Sequence, residues 1–170
     1  MRLLMSLLVT VVAACGSPGP SDPSSSSVSS ACDARVERGV LPAWARAGFS
    51  EAEPIVPHVI SRSGEFAAII FGDPLSSPPS AGHNNKILWA AGPTSGSATA
   101  RTSTSPAPVA LQISAQQMVG ETPVGEPVER RVEGGPGPSI VDLPDAGCWR
   151  LSLTWADRTD SLDLEYVRPN

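Results

Sequence analysis

Between Trp149 and Trp155 large apolar and polar side chains alternate without a break: Trp149, Leu151, Leu153 and Trp155 against Arg150, Ser152 and Thr154. A period of two puts the first set on one face of a β-strand and the second on the other, so the stretch predicts a strand with one face on a core and one toward water. The alternation resumes with Leu162, Leu164 and Tyr166 against Asp163 and Glu165. With a polar turn over Ala156 to Ser161 between them, the two runs predict a hairpin in which Arg150 lies opposite Asp163 or Glu165. Such a pair contributes a few tenths of a kcal/mol and needs no functional explanation.

Similar short apolar runs recur upstream, separated by Pro, Gly, Asn and Ser clusters. They predict strands at Val56 to Ser61, Glu65 to Phe71, Lys86 to Ala91, Val109 to Ser114, Val128 to Val132, Ser139 to Leu143, Cys148 to Trp155 and Leu162 to Val167. Phe66 to Phe71 reads FAAIIF and does not alternate, which suits a central strand covered on both faces. Only a turn or so of helix is expected, around Leu41 to Ala47, with Pro42 at an early position where its missing N–H costs little. Trp44 and Phe49 flank that turn, either as a hydrophobic plug under the sheet or as a partner-contact patch. With 18 prolines and 15 glycines in 170 residues, short strands and many turns are favoured over long helices. The fold class expected is all-β: an immunoglobulin-like or related antiparallel β-sandwich, formed as a single domain by residues 31–170. Ala91 to Pro108 holds only small polar residues, Ala, Pro and one Arg, and is expected to be a mobile loop.

Upstream of that domain the chain reads as processing and tether segments. Arg2 precedes an apolar run from Leu3 to Val12 that ends in small residues, the outline of a signal peptide over residues 1–14. This run is too short to cross a hydrocarbon core as a helix, which takes about 20 residues. Residues 16–30, GSPGPSDPSSSSVSS, carry a single apolar residue and no periodicity. That composition predicts a flexible tether with a span of about 20 Å.

Val12-Ala13-Ala14-Cys15 resembles the lipobox of bacterial lipoproteins, in which small residues precede a cysteine that is lipidated and becomes the mature N-terminus. Val12 stands where Leu is more usual. The resemblance implies a lipid on Cys15 and a cell-membrane location on the extracytoplasmic side, since two or three acyl chains hold a protein on its membrane permanently. If Cys15 carries lipid, Cys32 and Cys148 are left as an even pair, open to a disulfide in an oxidising compartment. Two separate buried thiols are the alternative. Strand parity places Cys148 on the side of Arg150 and Ser152, away from the tryptophans, so a bridge would clip the start of the domain onto the outside of the C-terminal hairpin. A bulge near Gly147 would reverse that parity.

The segment from Gly135 to Trp155, with its GPGPSI stretch and GCWRL strand, resembles the C-terminal part of a group of actinobacterial exported proteins. Ile69 to Leu75 (IIFGDPL) and Asn85 to Trp89 (NKILW) fit the same pattern. No activity comes with this resemblance. The approach to Cys148 is also similar to that of a late strand in immunoglobulin-like sandwiches, but position 146 is Ala where a tyrosine corner would need Tyr.

The sequence is thin in catalytic chemistry. His58 and His83 are the two histidines, read as ordinary strand and loop residues. No zinc-ligand spacing, GxSxG elbow or phosphate loop is present; Gly48 to Ala52 comes nearest the elbow but lacks its second glycine, and Ser139 has no identifiable base. Asp157, Asp160, Asp163 and Glu165 cluster around the last turn without EF-hand spacing, and are read as solvated hairpin charges. A net charge of -5 with one lysine, Lys86, gives no nucleic-acid footprint. The expectation is therefore a membrane-anchored extracytoplasmic lipoprotein acting as a non-enzymatic binding or structural envelope module, with no cofactor or metal and with a protein or polymer partner. Two alternatives stand beside it: a small-ligand or metal carrier, using an apolar cavity or His83 with Met118 and carboxylates, and an envelope hydrolase, using a serine with His58, Asp73 or Asp142.

Overall fold

The computed structural model describes Cys32, residues 35–93 and residues 109–169. Two antiparallel sheets face each other. One contains β1 (Glu37–Val40), β2 (Ile55–Ile60), β3 (Phe66–Ile70), β4 (Lys86–Ala91) and β7 (Pro138–Ile140), in the order β1-β2-β3-β4-β7. The other contains β5 (Leu111–Val119), β6 (Thr122–Val132), β8 (Gly147–Trp155) and β9 (Arg158–Tyr166), in the order β6-β5-β8-β9. The fold is all-β, as the alternation predicts, and the core lies between the sheets.

Trp149, Leu151 and Leu153 of β8 meet Leu162, Leu164 and Tyr166 of β9 and the inward residues Phe66, Ala68, Ile70, Ile87 and Trp89 of the other sheet. Arg150 pairs with Asp163 in register, and its Nε and Nη2 donate to the carboxylate at 2.9 and 3.1 Å. Every residue of β3 is buried. Its inner face belongs to the core, and its outer face carries Ala67 and Ile69. A strap between β1 and β2, closed by Leu41 N–H donating to Pro54 O at 3.0 Å, lies on that side. Leu41 and Ala45 are buried in the strap, its single 3-10 turn Ala43–Ala45 packs on β4, and the Phe49 ring stacks on Phe71. The plug is thus built mainly from Leu41 and Ala45, while Trp44 and Phe49 remain half-buried.

The structure departs from the sequence expectation in several places. β1 was not expected, because ERGV has no apolar alternation and its residues are mostly exposed. β5 and β6 run longer than their apolar runs, with a bulge between Ala115 and Gln117. The largest correction concerns β9, which begins at Arg158 instead of Leu162. The turn is only Ala156 and Asp157, with Ala156 at φ 55°, so Arg158 and Asp160 occupy core-side positions in the strand. Both are nearly buried. Arg158 is tolerated there because its guanidinium lies over the rings of Phe66 and Trp155, at 5.3 and 4.9 Å from their centroids. Asp160 is tolerated because it accepts hydrogen bonds from Ser61 Oγ at 2.5 Å and from the Ser63 and Ser161 amides. Asp163 is also buried, between Arg150 and Arg62. Asp160 and Asp163 are therefore not solvated hairpin charges. The expected loop from Ala91 to Pro108 begins as β4 ends, and its residues 94–108 lie outside the described residues.

Candidate functional site

The two ends of the sandwich differ in chemistry. At one end β8 begins, and Cys148 is bridged to Cys32 with the two Cα atoms 5.2 Å apart. Cys148 pairs with Glu165 and Met118 in register and sits on the Arg150 side of β8. The bridge therefore fastens the chain to the outside of one sheet, as strand parity indicates, unlike the inter-sheet bridge of antibody domains. Cys15, the expected lipidation site, lies outside the described residues. A cleft of about 480 Å³ opens at this end among Arg35, Arg38, Asp73, Leu75, Leu164 and Val167. It is the larger of the clefts described here, but Asp73 is already matched by Arg38 at 2.6 Å.

The opposite end holds the more pre-arranged site. From Cys148 to Trp155, the last eight residues of β8, is about 24 Å of strand, and Trp155 forms one wall of a cleft of about 330 Å³. Trp44 of the strap, the β4 residues Leu88 to Ala91, and Gly134 and Pro136 complete it. Trp155 is held on several sides. Arg158 covers one face of the ring, and Nε1 donates to Val109 O at 2.9 Å. Gly135 passes so close that a Cβ there would lie 2.7 Å from Trp155 Nε1, and its φ of 101° favours glycine as well. Arg158 in turn donates to Gly92 O at 2.7 Å, so the end of β4 and the tryptophan are positioned by one side chain. Two indoles thus flank a floor of small side chains and backbone. Such a site suits binding by stacking and main-chain hydrogen bonds.

The cleft exists because of local sequence. β4 pairs with β7 only over Lys86 to Leu88, and Trp89 N–H then donates to Gly137 O at 3.0 Å. Upstream of Gly137 the partner segment cannot continue the ladder. Pro136 has no N–H, and Gly134 and Gly135 are held at φ 82° and 101°, outside strand geometry. The GGPGP run therefore peels away from β4 and leaves a gap. In the sequence the GPGPSI stretch stands out only for a family resemblance, and the gap is not legible there.

The residues proposed for catalysis or metal binding are dispersed. His58 is buried; its Nδ1 carries the proton, since Val56 O at 2.8 Å can only accept, and Nε2 faces Glu37 at 3.7 Å. His83 Nε2 contacts Pro74 O at 3.0 Å, whereas Met118 lies in the other sheet. Asp142 accepts from Asn85 at 2.8 Å, and Ser139 Oγ accepts from Trp89 Nε1 at 2.9 Å. Neither the serine, His58 and aspartate set nor the His83 and Met118 set comes together. Among the described residues, no three His, Cys, Asp or Glu side chains are grouped to hold a metal ion.

Comparison with known proteins adds no name. No protein-family model matches the chain, no curated protein matches it, and no solved structure matches it.

Proposed function

We propose that the chain is a lipid-anchored extracytoplasmic module that binds a partner at the end of the sandwich remote from its anchor and performs no catalysis of its own. The observation that carries this reading is the Cys32–Cys148 bridge. Disulfides persist in oxidising compartments, so the bridge supports an exported chain. It also uses two of the three cysteines and leaves Cys15 for the lipid that the lipobox resemblance implies. The same bond supports a polarity for the module. The chain enters the body at the Cys148 end of β8, and the tryptophan cleft lies at the Trp155 end, so on this reading the site is remote from the point of attachment. An anchored binding module needs its site there, within reach of a partner in the surrounding space.

Fractionation of the producing cells tests the anchor. The wild-type chain is expected in the membrane fraction, released by detergent and not by high salt, and Cys15→Ala is expected to move to the soluble or unprocessed pool. A Cys15→Ala chain that stays in the membrane fraction as wild type does would overturn the lipid anchor.

A further inference from the structure

We infer that the tryptophan cleft takes an extended polypeptide segment, which adds as a short strand to the open edge of β4 and places its side chains between Trp44 and Trp155. The inference rests on the binding-module reading and names its ligand class.

The β4 backbone groups alternate in direction. Lys86 O accepts from Phe71 N–H and Gly92 N–H donates to Glu65 O, so the even-numbered residues of β4 face β3. Trp89 N–H donates to Gly137 O, so the odd-numbered residues face the other way. Ala91 N–H and C=O therefore point into the cleft, and among the described residues nothing bonds to them. The Trp89 carbonyl points the same way, past the place where the GGPGP run departs. One donor and two acceptors from alternate residues of a strand form the pattern that another extended backbone satisfies. A sugar ring or a fatty chain does not reproduce that spacing.

The walls fit the same ligand. Arg158, Val109 and Gly135 fix the Trp155 ring before any ligand arrives, which lowers the ordering cost of binding. The indole N–H groups of Trp155 and Trp89 are already donated to Val109 O and Ser139 Oγ. Those rings therefore offer faces and edges, and the hydrogen bonding falls to the β4 backbone. The floor is Leu88 and Ala90, and the departure of the GGPGP run leaves the edge of β4 beyond Trp89 open to a second backbone at strand distance, about 4.8 Å. A volume of about 330 Å³ is at the low end for ligand sites and suits two or three residues of a longer segment. Cys32, where the chain enters the described body, is bridged to Cys148 at the far end of β8 from the cleft.

The test uses the full chain and a soluble nonapeptide pool randomised at every position, with chitohexaose as a glycan comparator. Wild type is expected to retain peptides from the pool, and the Ala91 amide is expected to become protected from hydrogen exchange at least tenfold in their presence. Ala91→Pro removes the N–H aimed into the cleft without breaking a bond to β3, and is expected to reduce retention about tenfold while leaving both tryptophans in place. Trp44→Ala, on the half-exposed strap, is expected to reduce it similarly and guards against a folding defect in the proline variant. Retention equal in wild type and both variants, or an Ala91 amide unchanged by bound peptide, would overturn the proposal. Quenching of tryptophan fluorescence by chitohexaose without peptide retention would overturn the peptide assignment and leave the binding module standing. Neither ligand binding would overturn both, independently of where the chain is anchored.

Discussion

Asp160 shows how a charge is kept inside this sandwich. Burial alone pushes its carboxyl pKa up, but hydrogen bonds from Ser61 Oγ and the Ser161, Ser63 and Glu65 amides outweigh that and hold it below the ordinary value of 3.8. A group with a depressed folded pKa contributes stability that is fully present above its unfolded pKa, about 3.9, and lost as pH falls through the folded value. Wild type is therefore expected to lose stability below about pH 4, and Asp160→Asn to show a flatter acid limb. The variant is also expected to be about 1.5 to 3 kcal/mol less stable near neutrality. Urea melts from pH 2 to 7 measure both. Tyr166 titrates in the opposite sense. Its hydroxyl donates to Val141 O at 2.6 Å, and burial, reinforced by Asp142, raises its pKa well above the ordinary 10.0. The neutral form stabilises the fold below pH about 10, and this contribution is lost as pH rises toward the folded value. As the chain has one tyrosine, ultraviolet titration reads it directly. No phenolate absorbance is expected at pH about 11 until the chain unfolds; titration near 10 in the folded state would contradict the buried hydrogen bond.

At the scale of elements, what the sequence made legible follows the reach of each signal. The strand from Trp149 to Trp155 was readable because its pattern is local and its burial follows from alternation. FAAIIF was readable as a doubly covered strand, but the Leu41 and Ala45 strap that covers it was visible only as a turn. The start of β9 was misread because Arg158 and Asp160 look like turn residues. Their burial depends on Phe66 and on the Ser61 to Glu65 turn, which the chain brings to them from another sheet. The tryptophan cleft was illegible for the same reason: its walls, Trp44 and Trp155, come from opposite ends of the domain, and its floor is open only because GGPGP cannot pair. β6, by contrast, is a long edge strand that the sequence itself protects. Pro123, Pro127 and the charged Glu126, Glu129 and Arg131 discourage pairing with another chain.

For the whole molecule, the Cys32–Cys148 bridge closes a loop with a sequence separation of 116. Its removal from the unfolded chain restores entropy equivalent to about 4 to 5 kcal/mol. Reduction under native conditions is expected to lower the urea midpoint by a matching amount without loss of the β circular dichroism signal at zero denaturant. An unchanged midpoint would mean that the bridge constrains nothing beyond its own surroundings. The bond also places Cys32 at one end of β8, with the pre-arranged tryptophans at the other.

Non-reducing peptide mass spectrometry of the chain extracted from its own membrane tests this account most directly. An N-terminal peptide beginning at Cys15 with a diacylglyceryl-type mass increment is expected, together with a peptide joining Cys32 to Cys148. An unmodified Cys15, or a mature chain that begins elsewhere, would contradict the anchored orientation on which the function rests.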